Sequence, residues 1–172
     1  MNNTQVTTTG ERADLLASLA RHRQFLRYTV RGLTDEQARQ RATVSELTLG
    51  GLIKHVALTE RQWVNFIVTG PSAMSWENTD VDAYSRGFRM LDDETLAGLL
   101  DGYTLVAAQT DELVATLPDL DAAQALPEAP WFPPGARWSA RQVLLHVVAE
   151  TAQHSGHADI IRESLDGAKT MG

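Results

Sequence analysis

The sequence predicts an all-α protein, a four-helix bundle, and three observations predict it. Four long stretches repeat apolar residues at i, i+3 and i+4, the rhythm of a helix with one buried face. Each is bounded by residues that start or stop helices. No stretch has the period-two alternation of a convincing strand, and there is no internal repeat or low-complexity run. At 172 residues the chain suits one domain with a real core. Residues 1–10 read as a flexible leader, polar and without the basic-then-apolar order of a signal peptide. Residues 11–168 read as the single domain.

The first helix is expected from Glu11 to Val30, stopping near Gly32, with Leu15, Leu19, His22, Leu26 and Val30 along one face. His22 in that stripe reads as a bundle-end histidine with its own hydrogen bond. Thr34-Asp-Glu-Gln37 caps a short piece ending near Arg41. A second long helix runs from Thr48 to about Val68 and is closed by Gly70-Pro71. Its stripe is Leu49, Leu52, Val56, Trp63 and Ile67. His55 lies on the shoulder of that stripe, above Thr59, Gln62 and Phe66.

From Pro71 to Met90 the periodicity is weak, and the expectation is a loop with a short helical piece. Arg86 and Arg89 there are either solvated cations or partners for a ligand carboxylate. The third long helix is capped by Asp92 or Asp93 and runs to Thr116, before Pro118. Leu96, Leu99, Leu100, Tyr103, Val106, Leu113 and Leu117 supply its inward face, with the Tyr103 oxygen expected at the rim. Asp119 to Trp138 is a long connection whose Pro-Trp-Phe-Pro-Pro centre suggests an aromatic flap formed by Trp131 and Phe132.

The last helix opens on Ser139 and Gln142, the spacing of a capping box, and closes at Asp166-Gly167. At about 100° per residue its inward stripe is Val143, Val147, Glu150, His154, Ala158, Ile161 and Leu165. Two ionisable residues therefore occupy positions where the periodicity calls for apolar ones. Burying a carboxylate is costly unless it is paired or bound to a metal. Glu150 and His154 either hydrogen-bond each other in a wet bundle interior or form part of a divalent-metal site with a third ligand from another helix.

Composition narrows the chemistry. A net charge of −7 argues against nucleic acid or an anionic membrane as partner, and no run approaches the ~18 apolar residues of a membrane span. There is no cysteine, hence no disulfide, no cysteine-ligated zinc and no protein thiol nucleophile. A metal here takes nitrogen and oxygen ligands, which suits zinc, nickel, manganese or iron. Any thiol chemistry needs a thiol that arrives as a ligand.

Four candidates compete on the last helix: His146, Glu150, His154 and His157. His146 and His154 are two turns apart, about 12 Å along the axis, too far to share one ion. Glu150 and His154 are one turn apart, while His157 points about 60° to one side. The best triad is His55 with Glu150 and His154, leaving an open position as catalytic metal sites do. His157 then sits beside it, as a supporting residue or a general base.

Two segments carry a resemblance. Leu49-Gly-Gly-Leu-Ile-Lys-His55-Val-Ala-Leu-Thr-Glu-Arg-Gln-Trp63 and His146-Val-Val-Ala-Glu150-Thr-Ala-Gln-His154-Ser-Gly-His157-Ala-Asp159-Ile-Ile-Arg162 resemble the DinB-like superfamily. Within it they are similar to the branch near mycothiol-dependent maleylpyruvate isomerases and thiol S-transferases, and Gly32 to Ala38 fits as well. The resemblance implies an up-down-down-up bundle, often dimeric, with a metal at one end of its core. It also implies a glutamate in place of one of three histidine ligands, which Glu150 matches, with His55 and His154 on the other two positions. The larger isomerases carry a further C-terminal domain without counterpart here.

The function implied is a cytoplasmic, homodimeric, metal-dependent transferase. It would activate a low-molecular-weight thiol such as mycothiol, with zinc as the first choice of metal, for attack on a small electrophile. His157 is the candidate catalytic residue and Arg162 the candidate ligand-binding one, with Asp159 pairing to Arg162. The competing readings are a non-catalytic bundle that binds metal or a small ligand in stress response, and a hydrolase using bound water.

Overall fold

A computed structural model describes residues 9–74 and 85–170. Its elements are α1 (Glu11–Thr29), α2 (Asp35–Arg39), α3 (Leu49–Thr69), a 3-10 turn (Gly70–Met74), α4 (Leu96–Thr116), β1 (Ala123–Ala125), β2 (Arg137–Ser139) and α5 (Ala140–Asp166). The four long helices pack as the bundle expected from the sequence.

Side chains fix their directions. Arg12, in the first turn of α1, donates to the carbonyls of Val114 and Leu117 at the end of α4, so these two helices are antiparallel. Ser155 Oγ reaches the His22 carbonyl, and Arg162 Nη1 reaches the Thr29 carbonyl at 2.7 Å, so α1 and α5 are parallel. Trp63, late in α3, meets His146, early in α5, while His55 meets His154, so α3 opposes α5. The order is up-down-down-up.

Caps explain most boundaries. Thr48 and Ser139 cap α3 and α5, and Ser139 and Gln142 form the expected capping box. The cap of α4 is a correction: it is Thr95, whose hydroxyl accepts from Gly98 N, and not Asp92 or Asp93. Asp35 of α2 takes the Leu96 N–H, so a neighbouring helix satisfies a donor that a sequence reading assigns to a local aspartate. The short α2 ends at Arg39, one turn being enough for its capping box. Of the weak 71–90 stretch, the 3-10 turn and a helical turn at 85–87 are described; positions 75–84 lie outside the described residues.

A second correction concerns strands. β1 and β2 pair antiparallel with Gln124 opposite Trp138, a three-residue ladder too short to leave an alternating pattern. Its use is positional: β2 runs directly into the α5 cap and fixes Trp138 at the head of that helix.

The core has two apolar clusters, one around Leu19, Phe66, Val143 and Val147, the other around Leu26, Leu52, Val56, Tyr103 and Ile161. Between them along the helices lies a polar layer. Buried Arg23 of α1 grips buried Glu60 of α3 through Nε (3.1 Å) and Nη2 (2.5 Å), and Thr110 of α4 donates to Glu60 at 2.6 Å. Asp111 takes the remaining guanidinium nitrogen, Nη1, at 2.7 Å. Tyr103 is buried to its hydroxyl, not placed at the rim, with Arg27 above its ring.

Candidate metal centre

The face of α5 that is most buried differs from the predicted stripe. Thr151 and Ser155 lie in the core with Val143, Leu144, Val147, Ala158 and Ile161, while Glu150 and His154 are half-buried at its edge. The reason is local. Thr151 and Ser155 return their hydroxyls to the carbonyls of Val147 (2.8 Å) and Thr151 (2.7 Å), so they enter the core already satisfied. Glu150 and His154 are thereby turned toward α3 instead of the bundle axis.

There they meet His55. One ligand atom each from His55, Glu150 and His154 lies within 4.8 Å of the others. The two imidazole rings stand 4.8 Å apart at 81°, and His154 Nε2 is 3.6 Å from Glu150 Oε2. Two nitrogens and a carboxylate oxygen at this spacing are a donor set able to hold a divalent cation. Burial, then the neighbouring His154, pushes His55 down to about 4 against the pull of Glu150, so it is a neutral donor at pH 7. The adjoining His154, helped by His146, holds the Glu150 carboxyl below its usual range although burial opposes this.

His55 is positioned from outside the helices. Phe88 stacks on it at 3.8 Å and 18°. Phe88 can do so because α3 opens with Gly50 and Gly51. A Cβ on Gly51 would collide with the Phe88 carbonyl, and one on Gly50 would come within 2.6 Å of the sulfur of Met90. Lys54 holds the same segment through the Arg89 carbonyl (3.2 Å) and Glu94 (2.7 Å). Phe88 escaped the sequence reading because it lies in the weakly periodic stretch; the Gly50-Gly51 pair at a helix start was the available signal.

The remaining candidates are placed as follows. His157 is half-buried beside the triad, its Nδ1 3.4 Å from Nδ1 of His154. Arg162 is buried farther along α5, donating to the carbonyls of Thr29 (2.7 Å) and Arg31 (2.9 Å) and to Asp166 (2.8 Å). These contacts assign it to the junction of α1 and α5. Asp159 accepts from Thr170 N and does not pair with Arg162. Arg86 and Arg89 are exposed. Of the expected flap, Phe132 packs on Trp138 with ring centres 5.8 Å apart, while Trp131 is 64% exposed. A cavity of about 530 Å³ lies within that connection, lined by Leu126, Phe132 and the four prolines.

Fold and site together define a class: a four-helix bundle in which facing helices converge two histidines and a glutamate into a metal-competent cluster. The chain belongs to the mycothiol S-transferase family, a DinB-like branch, which it matches over residues 14–167. Among solved structures, that of a conserved protein from Enterococcus faecalis superposes with a TM-score of 0.70. That match is 14% identical and covers 94% of this chain and 100% of the other, a likeness of fold alone. No curated protein matches the sequence. Among the described residues, no helix is long and apolar enough to cross a membrane.

Proposed function

We propose that this protein is a metal-dependent mycothiol S-transferase acting on a small electrophile, with His55, Glu150 and His154 as the metal ligands. The convergence of those three side chains, in a chain of this family, is the observation that carries the reading. Zinc suits the set: His55, Glu150 and His154 would hold it through two imidazole nitrogens and a carboxylate oxygen, with room for a substrate ligand. A divalent cation there supplies Lewis acidity, which brings a thiol's pKa into the neutral range.

The chain does the rest. His55 is kept neutral by burial under Phe88, and Glu150 is kept ionised by the imidazole beside it, so each presents its ligating form at neutral pH. His157, half-buried next to His154, accepts the thiol proton. The sulfur then forms a bond to the electrophilic carbon. The displaced electron pair leaves with a departing group or is taken up by an opening epoxide or a conjugated double bond.

The test is a conjugation assay. Zinc-loaded protein with mycothiol and a chloro-dinitro-aromatic acceptor should give a thioether at a rate that depends on the metal and is lost in His154→Ala. Absence of any metal-dependent rate with mycothiol, bacillithiol or glutathione across several electrophile classes would reject the transferase.

A further inference from the structure

His146 lies two turns from His154 and stands outside the ligand triad, yet the structure builds a place for it. The Glu150 carboxylate is bracketed along α5: Oε2 is 3.6 Å from Nε2 of His154, and Oε1 is 3.8 Å from Nε2 of His146. The His146 ring is in turn set by two indoles from other elements. Trp63 of α3 stands at 73° to it with centroids 4.7 Å apart, and Trp138 of β2 at 62° and 5.2 Å. The indoles stack on each other at 4.9 Å and 20°. The two indoles pack against the His146 ring, whose Nε2 faces one carboxylate oxygen.

We infer that His146 is a positioning residue for Glu150: it engages Oε1, so that Oε2 alone is presented toward His55 and His154. A carboxylate free to rotate can offer both oxygens to an ion or swing away from it. One held at its outer oxygen gives a single ligand atom and keeps the remaining position open for substrate. At 3.8 Å the pair is an electrostatic contact and not a full hydrogen bond. Its effect is on orientation, through a ring that the indoles prevent from turning away. Residues that orient metal ligands in this way carry about 10- to 100-fold in metal affinity. The inference rests on the metal ligation proposed above.

The experiment is a zinc titration against a chromophoric chelator, with thermal unfolding of the metal-free proteins alongside. His146→Phe keeps a ring against Trp63 and Trp138 and removes the nitrogen. Zinc binding should weaken about 10- to 100-fold with metal-free melting unchanged. His146→Gln returns a polar N–H at similar reach and should restore most of the affinity. Trp138→Phe loosens the wall while leaving Glu150 and His146 unsubstituted and should weaken zinc in the same direction, which keeps the idea testable if His146→Phe folds poorly. Parent-like affinity in His146→Phe, or in Trp138→Phe should His146→Phe not fold, overturns the role of His146 while leaving the triad standing. So does a glutamine variant as weak as the phenylalanine one. A parent protein that binds no zinc overturns the triad and this inference together.

Discussion

The carbonyl oxygen of Phe88 occupies the space that a Cβ on Gly51 would need, and through that approach the Phe88 ring reaches the face of His55. A glycine on a core helix thus sets the environment of a metal-ligand candidate on the next turn. Gly51→Ala should lift the 85–90 segment from α3, because the colliding atoms are backbone and cannot yield by changing rotamer. Overpacking of this kind costs about 1–3 kcal/mol, readable in a urea melt. Zinc affinity should fall with it as His55 loses its wall. A variant that matches the parent in both measurements would show that the approach has no structural consequence.

The ligand set makes a graded prediction. His55→Ala and His154→Ala should each abolish stoichiometric zinc in elemental analysis, since two ligands seldom retain an ion against water. Glu150→Gln preserves shape and loses charge, so it should bind weakly instead of not at all. His157→Ala should keep the metal and lose turnover, a split that distinguishes a base from a ligand. In the parent, chelation should lower the melting temperature: a ligand at one hundred times its Kd adds about 2.7 kcal/mol to stability.

His55 also predicts how the metal-free protein responds to acid. Its folded-state value is pushed from 6.5 down to about 4, chiefly by burial, then by His154, with Glu150 opposing. Between those limits the unfolded chain takes up a proton that the folded chain refuses. Stability present above pH 6.5 is therefore lost progressively as pH falls toward 4. Allowing for the ring's partial exposure, the loss is about 2 kcal/mol. Urea melts of metal-free protein across this range should show the slope, and His55→Gln should flatten it. Equal slopes in the two proteins would place the acid sensitivity elsewhere.

The helices were legible in the sequence because they follow periodicity, and so was the pairing of Glu150 with His154 on one face. Glu150 and His154 sit one turn apart on the last helix, His55 lies on the shoulder of the α3 stripe, and the caps at Thr48 and Ser139 mark two of the helix starts. What escaped follows from contacts between distant segments. The stripe drawn through His154 leaves out Thr151 and Ser155, which enter the core because their own helix carbonyls satisfy their hydroxyls. Thr95 displaced the aspartates as a cap because Asp35, far away in sequence, completes that helix end. Phe88 and the paired indoles at Trp63 and Trp138 form the walls of the site, and no local pattern encodes which ring will meet which histidine.

Glu60 is the plainest case of a residue whose place a helical pattern conceals, and it gives the last prediction. Its carboxylate is buried between Arg23 and Thr110, at the layer that separates the two apolar clusters. Bringing such a pair out of water costs several kcal/mol per ion, offset here by two guanidinium contacts, the Thr110 hydroxyl and the Asp111 bridge. Removing one partner leaves the other charge buried without compensation. Arg23→Met should therefore destabilise the fold by about 3–5 kcal/mol. Arg23→Met with Glu60→Met should recover much of that loss, since apolar side chains of similar volume join the clusters on either side. The comparison is a double-mutant cycle by urea denaturation, with zinc affinity as the second readout. If the double variant is as unstable as the worse single one, the layer contributes through packing geometry and not through its charges. If the double variant is stable but binds zinc poorly, the buried pair also serves to hold α3 in the register that presents His55 to α5.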